Sequence, residues 1–147
     1  MRRTFWIAPA VFLADRGVKL LWKRIPAEGR TLIPGVLGLT PARNTGMAFS
    51  LFSGRSWLLG LVSLVLIAGA LLFLRGKDLR GLTRVGLMMM LGGAAGNMVD
   101  RFFLGYVPDM FELLFVRFAV FNVADAFLVT GCALVMIDLL FGGEKNG

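Results

Sequence analysis

The sequence predicts an all-α membrane protein: a single domain, residues 1–147, of four transmembrane helices with short strands in a long first loop. Three observations carry that fold class. The composition is 57% hydrophobic and only 17% charged, leaving more apolar surface than a soluble chain of 147 residues would hide. The stretch WLLGLVSLVLIAGALLFL at 57–74 carries no charge, and as a helix it rises about 27 Å, close to the roughly 30 Å of a hydrocarbon core. Basic residues gather between apolar runs, as they do where a chain leaves a membrane.

The first span is expected over 4–22. Two arginines and an apolar run open the chain like a secretory leader, but the Ala-x-Ala at 8–10 comes too early in that run to be a cleavage site. Trp6 and Trp22 then lie near its two interfaces. Residues 23–55 are too long for a simple connection. RTLIPGVLGLTPARNTGMAFSLF mixes β-branched residues with Pro34, Gly35, Gly38, Pro41 and Gly46, which predicts strands and turns on the membrane face. The second span is 57–74, followed by the basic turn RGKDLRGLTR. The third is 82–99, where Gly92, Gly93, Ala94, Ala95 and Gly96 allow close helix approach. The fourth is 118–141.

With four spans both termini share a side. Arg2, Arg3, Arg75, Lys77, Arg80, Arg84 and Lys145 lie there, against Lys23, Arg24, Arg30, Arg43, Arg55, Arg101 and Arg117 opposite. The counts tie, so orientation rests on the dense short turn and the Arg2–Arg3 start, which place both termini in the cytoplasm.

The composition also excludes chemistry. With no histidine, Ser-His-Asp and Cys-His catalysis are impossible, and neither a metal site nor another cofactor is expected. The lone Cys132 cannot form an intramolecular disulfide. The net charge of +7 includes no aromatic-interleaved basic stripe, so no nucleic-acid partner is expected. Acid–base work must fall to carboxylates, lysines or the tyrosine.

Those polar residues converge. Asn44, Asn97, Asp100, Arg101, Asp109, Asn122 and Asp125, with Asp15 and Lys19 of the first span, all fall towards the side opposite the termini. Asn122 and Asp125 are expected one to two turns inside the fourth span, and Asp109 in the surface loop before it. Asp15 and Lys19, Asn97 and Arg101, and Asn122 and Asp125 are spaced to share helix faces. Ionisable groups within spans normally face the bundle interior and carry function. Two close carboxylates can hold one proton between them, as in aspartic proteases.

Plainer readings stand beside these. Asp15–Lys19 is also a simple intrahelical ion pair, and Asp100 with Arg101 a brace at a helix end. Asp138 reads as an interfacial residue, the glycines as packing, Met88, Met89 and Met90 as filler, and Asp109 with Asp125 as a polar tie between loop and helix. A proton-coupled transporter subunit and a structural membrane subunit remain alternatives on the residues alone.

NTGMAFS at 44–50, GGAAGNMVDR at 92–101, GYVPDMF at 105–111 and FNVADAF at 121–127 together resemble the signature blocks of lipoprotein signal peptidase, or signal peptidase II; DRGVK at 15–19 resembles its first block. The resemblance implies a bacterial inner-membrane aspartyl endopeptidase that removes signal peptides from diacylglyceryl-modified prolipoproteins. It implies a multi-pass monomer in contact with membrane lipids, its site towards the outer leaflet, and a small extracytoplasmic β-cradle from loop one with a short helix over the site. Asp109 and Asp125 fall on the catalytic pair. Asn44, Gly46, Asn97, Asp100, Arg101, Asn122 and Ala124 fall on substrate-binding or supporting positions, and Asp15 and Lys19 on recurring polar ones. Pro108, Met110 and Ala126 depart from the pattern, and the stretch between the two aspartates is shorter than usual, which puts the loop around Asp109 in question.

Overall fold

The computed structural model describes residues 4–46, 54–77, 79 and 81–142. Arg2, Arg3, Arg80 and Lys145, counted above for orientation, lie outside them, as do residues 47–50 of the NTGMAFS block. In chain order the elements are α1 (Ile7–Lys19), a 3-10 turn (Trp22–Arg24), β1 (Arg30–Ile33), β2 (Leu37–Asn44), α2 (Ser56–Leu74), α3 (Gly81–Phe103), β3 (Val107–Leu113) and α4 (Val123–Phe141).

Among the described residues two helices are long and apolar enough on their own to cross a membrane. They are Ser56–Leu74, with mean hydropathy 2.6, and Val123–Phe141, with 2.0. The other two are different in kind. α1 is 13 residues long, about 20 Å, and α3 carries Arg84, Asn97, Asp100 and Arg101. α2 is apolar on every side. It buries only Ser56, Leu59 and Gly60 and exposes a surface that includes Trp57, Val65, Leu66 and Leu72. In water such a surface would drive association; against lipid tails it costs nothing.

α3 is the hub, packed against α1, α2 and α4. Bare glycine backbone makes this possible. A Cβ at Gly92 would stand 2.5 Å from the Ala8 carbonyl of α1. One at Gly93 would stand 2.6 Å from the Ala124 carbonyl of α4, and one at Gly86 2.5 Å from the Gly131 carbonyl. This close backbone approach gives the helices extensive van der Waals contact. Asp138 is not merely interfacial: it is buried, and the Thr83 amide (3.1 Å) and hydroxyl both donate to its Oδ2. It thereby satisfies a first-turn N–H of α3 from the neighbouring helix.

The strands form one antiparallel sheet in the order β1-β2-β3. The cradle is therefore not built by the first loop alone, because its third strand comes from the segment after α3. α3 stops as Gly105 takes up a left-handed conformation, φ 75°, which reverses the chain. β3 then pairs with β2, Ala42 opposite Asp109 and Asn44 opposite Val107. Its other edge meets the chain ahead of α4: Phe111 N donates to Phe121 O (2.8 Å), and Phe121 N to Phe111 O (2.9 Å).

That pairing corrects two expectations. Asp109 lies on a strand, not in a loop. The fourth helix starts at Val123 rather than at 118, because residues before it are extended and partly committed to β3. Asn122 is consequently the N-cap of α4 and Asp125 lies in its first turn, not one to two turns deeper.

The glycine contacts predict a paired result. Gly86→Ala should destabilise the fold by about 1–3 kcal/mol of overpacking, seen as a lower thermal unfolding midpoint in detergent. Gly69→Ala on α2, with nothing within 4 Å of the new Cβ, should leave the midpoint unchanged or raise it.

Candidate active site

The site begins with a cation. Lys19 is at the end of α1 and only 8% exposed. Its ammonium donates to Asp15 Oδ2 (2.8 Å), Asn97 Oδ1 (3.0 Å) and Asp100 Oδ2 (2.7 Å). An ammonium has three donors, and here all three have acceptors. Arg16 adds a second cation, its Nη2 2.6 Å from Asp100 Oδ1 and 3.2 Å from Asp15 Oδ2. Two cations thus face two fully buried carboxylates, so the cluster is neutral. Asp15–Lys19 is an intrahelical pair, as its spacing suggests, but it is also the bridge from α1 to α3. Asp100 is bound to α1 through these ion pairs, rather than braced by its neighbour Arg101.

Asp15 also reaches α4, accepting the Ala124 amide on Oδ1 (3.0 Å). The approach requires small residues. A Cβ at Gly96 would fall 2.6 Å from Asp15 Oδ2 and 3.7 Å from the Ala124 Cβ.

From Lys19 the network runs through two asparagines. Asn97 accepts from Lys19 and from Asn122 Nδ2 (3.2 Å) on the same oxygen, and its own amide donates to Asp125 Oδ1 (2.7 Å). Asn122 and Asp125 form a capping box: Asp125 N donates to Asn122 Oδ1 (3.0 Å), and Asn122 N donates to Asp125 Oδ2 (3.3 Å). The Asn122 amide also donates to Asp109 Oδ1 (2.6 Å). Asn122 therefore touches both aspartates, one through its side chain and one through its backbone.

Asp109 is 2% exposed. Asn44 donates to its Oδ2 (3.1 Å), and Asn44 is itself fixed by the Gly46 amide (3.1 Å). Burial pushes the Asp109 carboxyl up to about 6; the Asn122 amide pulls it down, the charge of Asp125 pushes it up, and Asn44 and Lys19 pull it down. Arg101 lies within electrostatic reach of Asp125, Asp109 and Asp100, and its Nη1 is 3.4 Å from the Asn97 carbonyl.

The structure thus brings Asp15, Lys19, Asn44, Asn97, Asp100, Asp109, Asn122, Ala124 and Asp125 into one connected network, with Gly46 and Arg101 at its margin. It adds a residue that sequence reasoning assigns only to the interface. The Trp22 indole donates to the Asp109 main-chain carbonyl (2.9 Å). The helical spacing of Trp22 from Lys19 and Asp15 is a signal for a shared element, but its strand partner is 87 residues away.

Comparison with known proteins identifies the family. The family model described as Signal peptidase (SPase) II matches residues 7–141. The chain belongs to the signal peptidase II family. A lipoprotein signal peptidase of Lactobacillus johnsonii is 43% identical over 120 residues, 81% of this chain and 78% of that protein. One from Trichormus variabilis is 43% identical over 145 residues, 94% and 90% of the two chains. A bacterial membrane enzyme solved in meso at 2.3 Å superposes with a TM-score of 0.86 at 26% identity, covering 98% of this chain and 93% of that one. A second, at 1.9 Å, gives 0.83 at 27% identity, covering 95% and 94%.

Signal peptidase II membership makes the chain a peptidase and sets aside the transporter and structural-subunit readings. Met110 is buried in β3, and Ala126 continues the first turn of α4 by donating to the Asn122 carbonyl (3.2 Å).

The raised Asp109 carboxyl has a testable sign. The folded chain holds this proton up to about 6, whereas an unfolded aspartate releases it near 3.9. Between those values the folded state binds more protons, so this residue's contribution to stability falls as pH rises through the window. Unfolding midpoints from pH 4 to 7 should therefore decline more steeply in the wild type than in Asp109→Asn.

Proposed function

We propose that this peptidase removes signal peptides from diacylglyceryl-modified bacterial prolipoproteins, with Asp109 and Asp125 as its catalytic acid–base pair. The observation that carries the reading is the Asn122 bridge. One asparagine holds the Asp109 carboxylate through its amide and the Asp125 carboxylate through its main chain, so two residues from different elements face one reaction centre.

One aspartate, ionised, takes a proton from a water molecule as the water oxygen bonds to the scissile carbonyl carbon. The other, protonated, donates to the carbonyl oxygen. Collapse of the tetrahedral diol breaks the C–N bond: the first aspartate passes its proton to the leaving amine, and a diol hydroxyl returns a proton to the second aspartate as the carboxyl group forms. Asp109, which accepts the Asn122 and Asn44 amides, and Asp125, which accepts two N–H groups in the first turn of α4, divide these two roles between them. Lys19, Asp15, Asp100 and Asn97 support the pair, and Asn44 and Gly46 position Asp109. Arg101 lies close enough to steady charge that develops between the aspartates. No cofactor enters this scheme.

All four helices lie in the bacterial inner membrane, the charged groups of α1 and α3 turned towards each other, with both termini cytoplasmic and the site towards the outer leaflet. Exposed Phe102 and Phe103 at the end of α3, with Phe115 and Phe118 beyond β3, give the site end an apolar collar. Such a collar suits a substrate whose acyl chains stay in the lipid, so that their binding positions the scissile bond. The enzyme acts as a monomer, the whole network coming from one chain.

Asp109→Asn and Asp125→Asn, made separately, should each lower kcat for a diacylglyceryl prolipoprotein by about 10²–10⁴-fold at unchanged membrane abundance. Wild-type cleavage by either variant would contradict the two-aspartate assignment.

A further inference from the structure

Asp109 sits where its strand is least able to hold it. The β2–β3 register slips between Leu39 and Ala42, and Ala42 is the residue opposite Asp109. On the other side Pro108 stands opposite Arg43, and a proline offers the ladder no N–H. A bulge and a proline thus flank the residue whose side chain must be aimed most accurately.

Other groups fill the deficit. Asn122 and Asn44 hold the carboxylate oxygens, and the Phe121 carbonyl accepts the amide of Met110, the next residue (3.0 Å). The Asp109 carbonyl itself is taken by the Trp22 indole N–H at 2.9 Å. That indole is in turn held in place. Its ring packs on Tyr106 with centroids 6.0 Å apart, and the Arg43 guanidinium lies 5.8 Å from the Trp22 ring and 5.0 Å from the Tyr106 ring. Arg43 and Tyr106 come from β2 and the approach to β3. The clamp therefore joins the end of α1, which carries Lys19, to the two strands that carry Asn44 and Asp109.

We propose that Trp22 is a positioning residue for cleavage: its indole N–H fixes the peptide plane of Asp109 and so sets the carboxylate opposite Asp125. This rests on the reading of Asp109 as catalytic. The role belongs to the N–H, since the ring alone would only pack. Without the indole this peptide is held only at its other end, by the Met110 N–H on the Phe121 carbonyl, so it can tilt about that bond; displacement on the ångström scale at a reacting group lowers turnover while leaving substrate binding largely intact.

The experiment compares purified wild type, Trp22→Phe, and a chain carrying at position 22 the benzothiophene isostere of tryptophan, in which sulfur replaces the N–H. The substrate is a diacylglyceryl-modified prolipoprotein peptide in detergent micelles. Both altered chains should lose about ten-fold in kcat, with KM within about two-fold and the unfolding midpoint of the isostere chain unchanged. Full kcat in the isostere chain overturns the inference, even where Trp22→Phe is impaired or does not fold, because ring packing would then be sufficient. An Asp109→Asn control separates the two levels. Its inactivity beside a fully active isostere chain overturns the role of Trp22 alone. Its full activity overturns the catalytic reading, and the role of Trp22 with it.

Discussion

Lys19 is buried among acceptors contributed by α1 and α3, and its three N–H groups are all engaged. An ammonium removed from water is costly unless each donor is met and its charge balanced. Asp15, Asp100 and Arg16 supply the balance, and in doing so they lock two helices whose own apolar surface is too modest to anchor them separately. The remaining polar contacts follow from this point. Asp15, held by Lys19, is free to accept the Ala124 amide of α4. Asn97, oriented by Lys19, presents its amide to Asp125. Removing one member of such a cluster leaves a buried charge uncompensated, a loss of about 3–5 kcal/mol, and that loss would extend to the geometry of the two aspartates.

The glycines of α3 make that arrangement sterically possible. Gly96 leaves room for the Asp15 carboxylate, and Gly93 lets the Ala124 carbonyl approach. In a soluble protein a hydrophobic core would compress these helices; in lipid, backbone contact and buried hydrogen bonds take that role. Polar network and glycine seam are thus two aspects of one design: bare backbone lets the helices close around a charge-balanced Lys19 cluster.

Much of this is legible in the residues. Helical spacing places Asp15 with Lys19 and Asn122 with Asp125, and counting spans places these groups towards one end of the bundle. The Gly92–Gly96 region reads as packing, and the long apolar run at 57–74 reads as a helix. What escapes is non-local. VPDMFEL has little alternation and carries a proline at its second position, so nothing in it marks a strand; it becomes one only because β2 and Phe121 lie on either side. The same pairing draws residues before Val123 out of the helix that their apolar character suggests. Trp22 reads as an interfacial anchor because its hydrogen-bond partner is a backbone carbonyl in β3, which no spacing rule reaches.

In the proposed mechanism water, activated between Asp109 and Asp125, attacks the peptide directly, and the rest of the site serves that step. A single turnover in ¹⁸O-labelled water, with enzyme in excess over a diacylglyceryl prolipoprotein peptide, tests it most directly by mass spectrometry of both products and enzyme. Direct attack predicts one ¹⁸O atom in the new carboxyl terminus of the released signal peptide and none in the side chains of Asp109 or Asp125. Label in either aspartate would mean a covalent acyl-enzyme opened by water, and would contradict it.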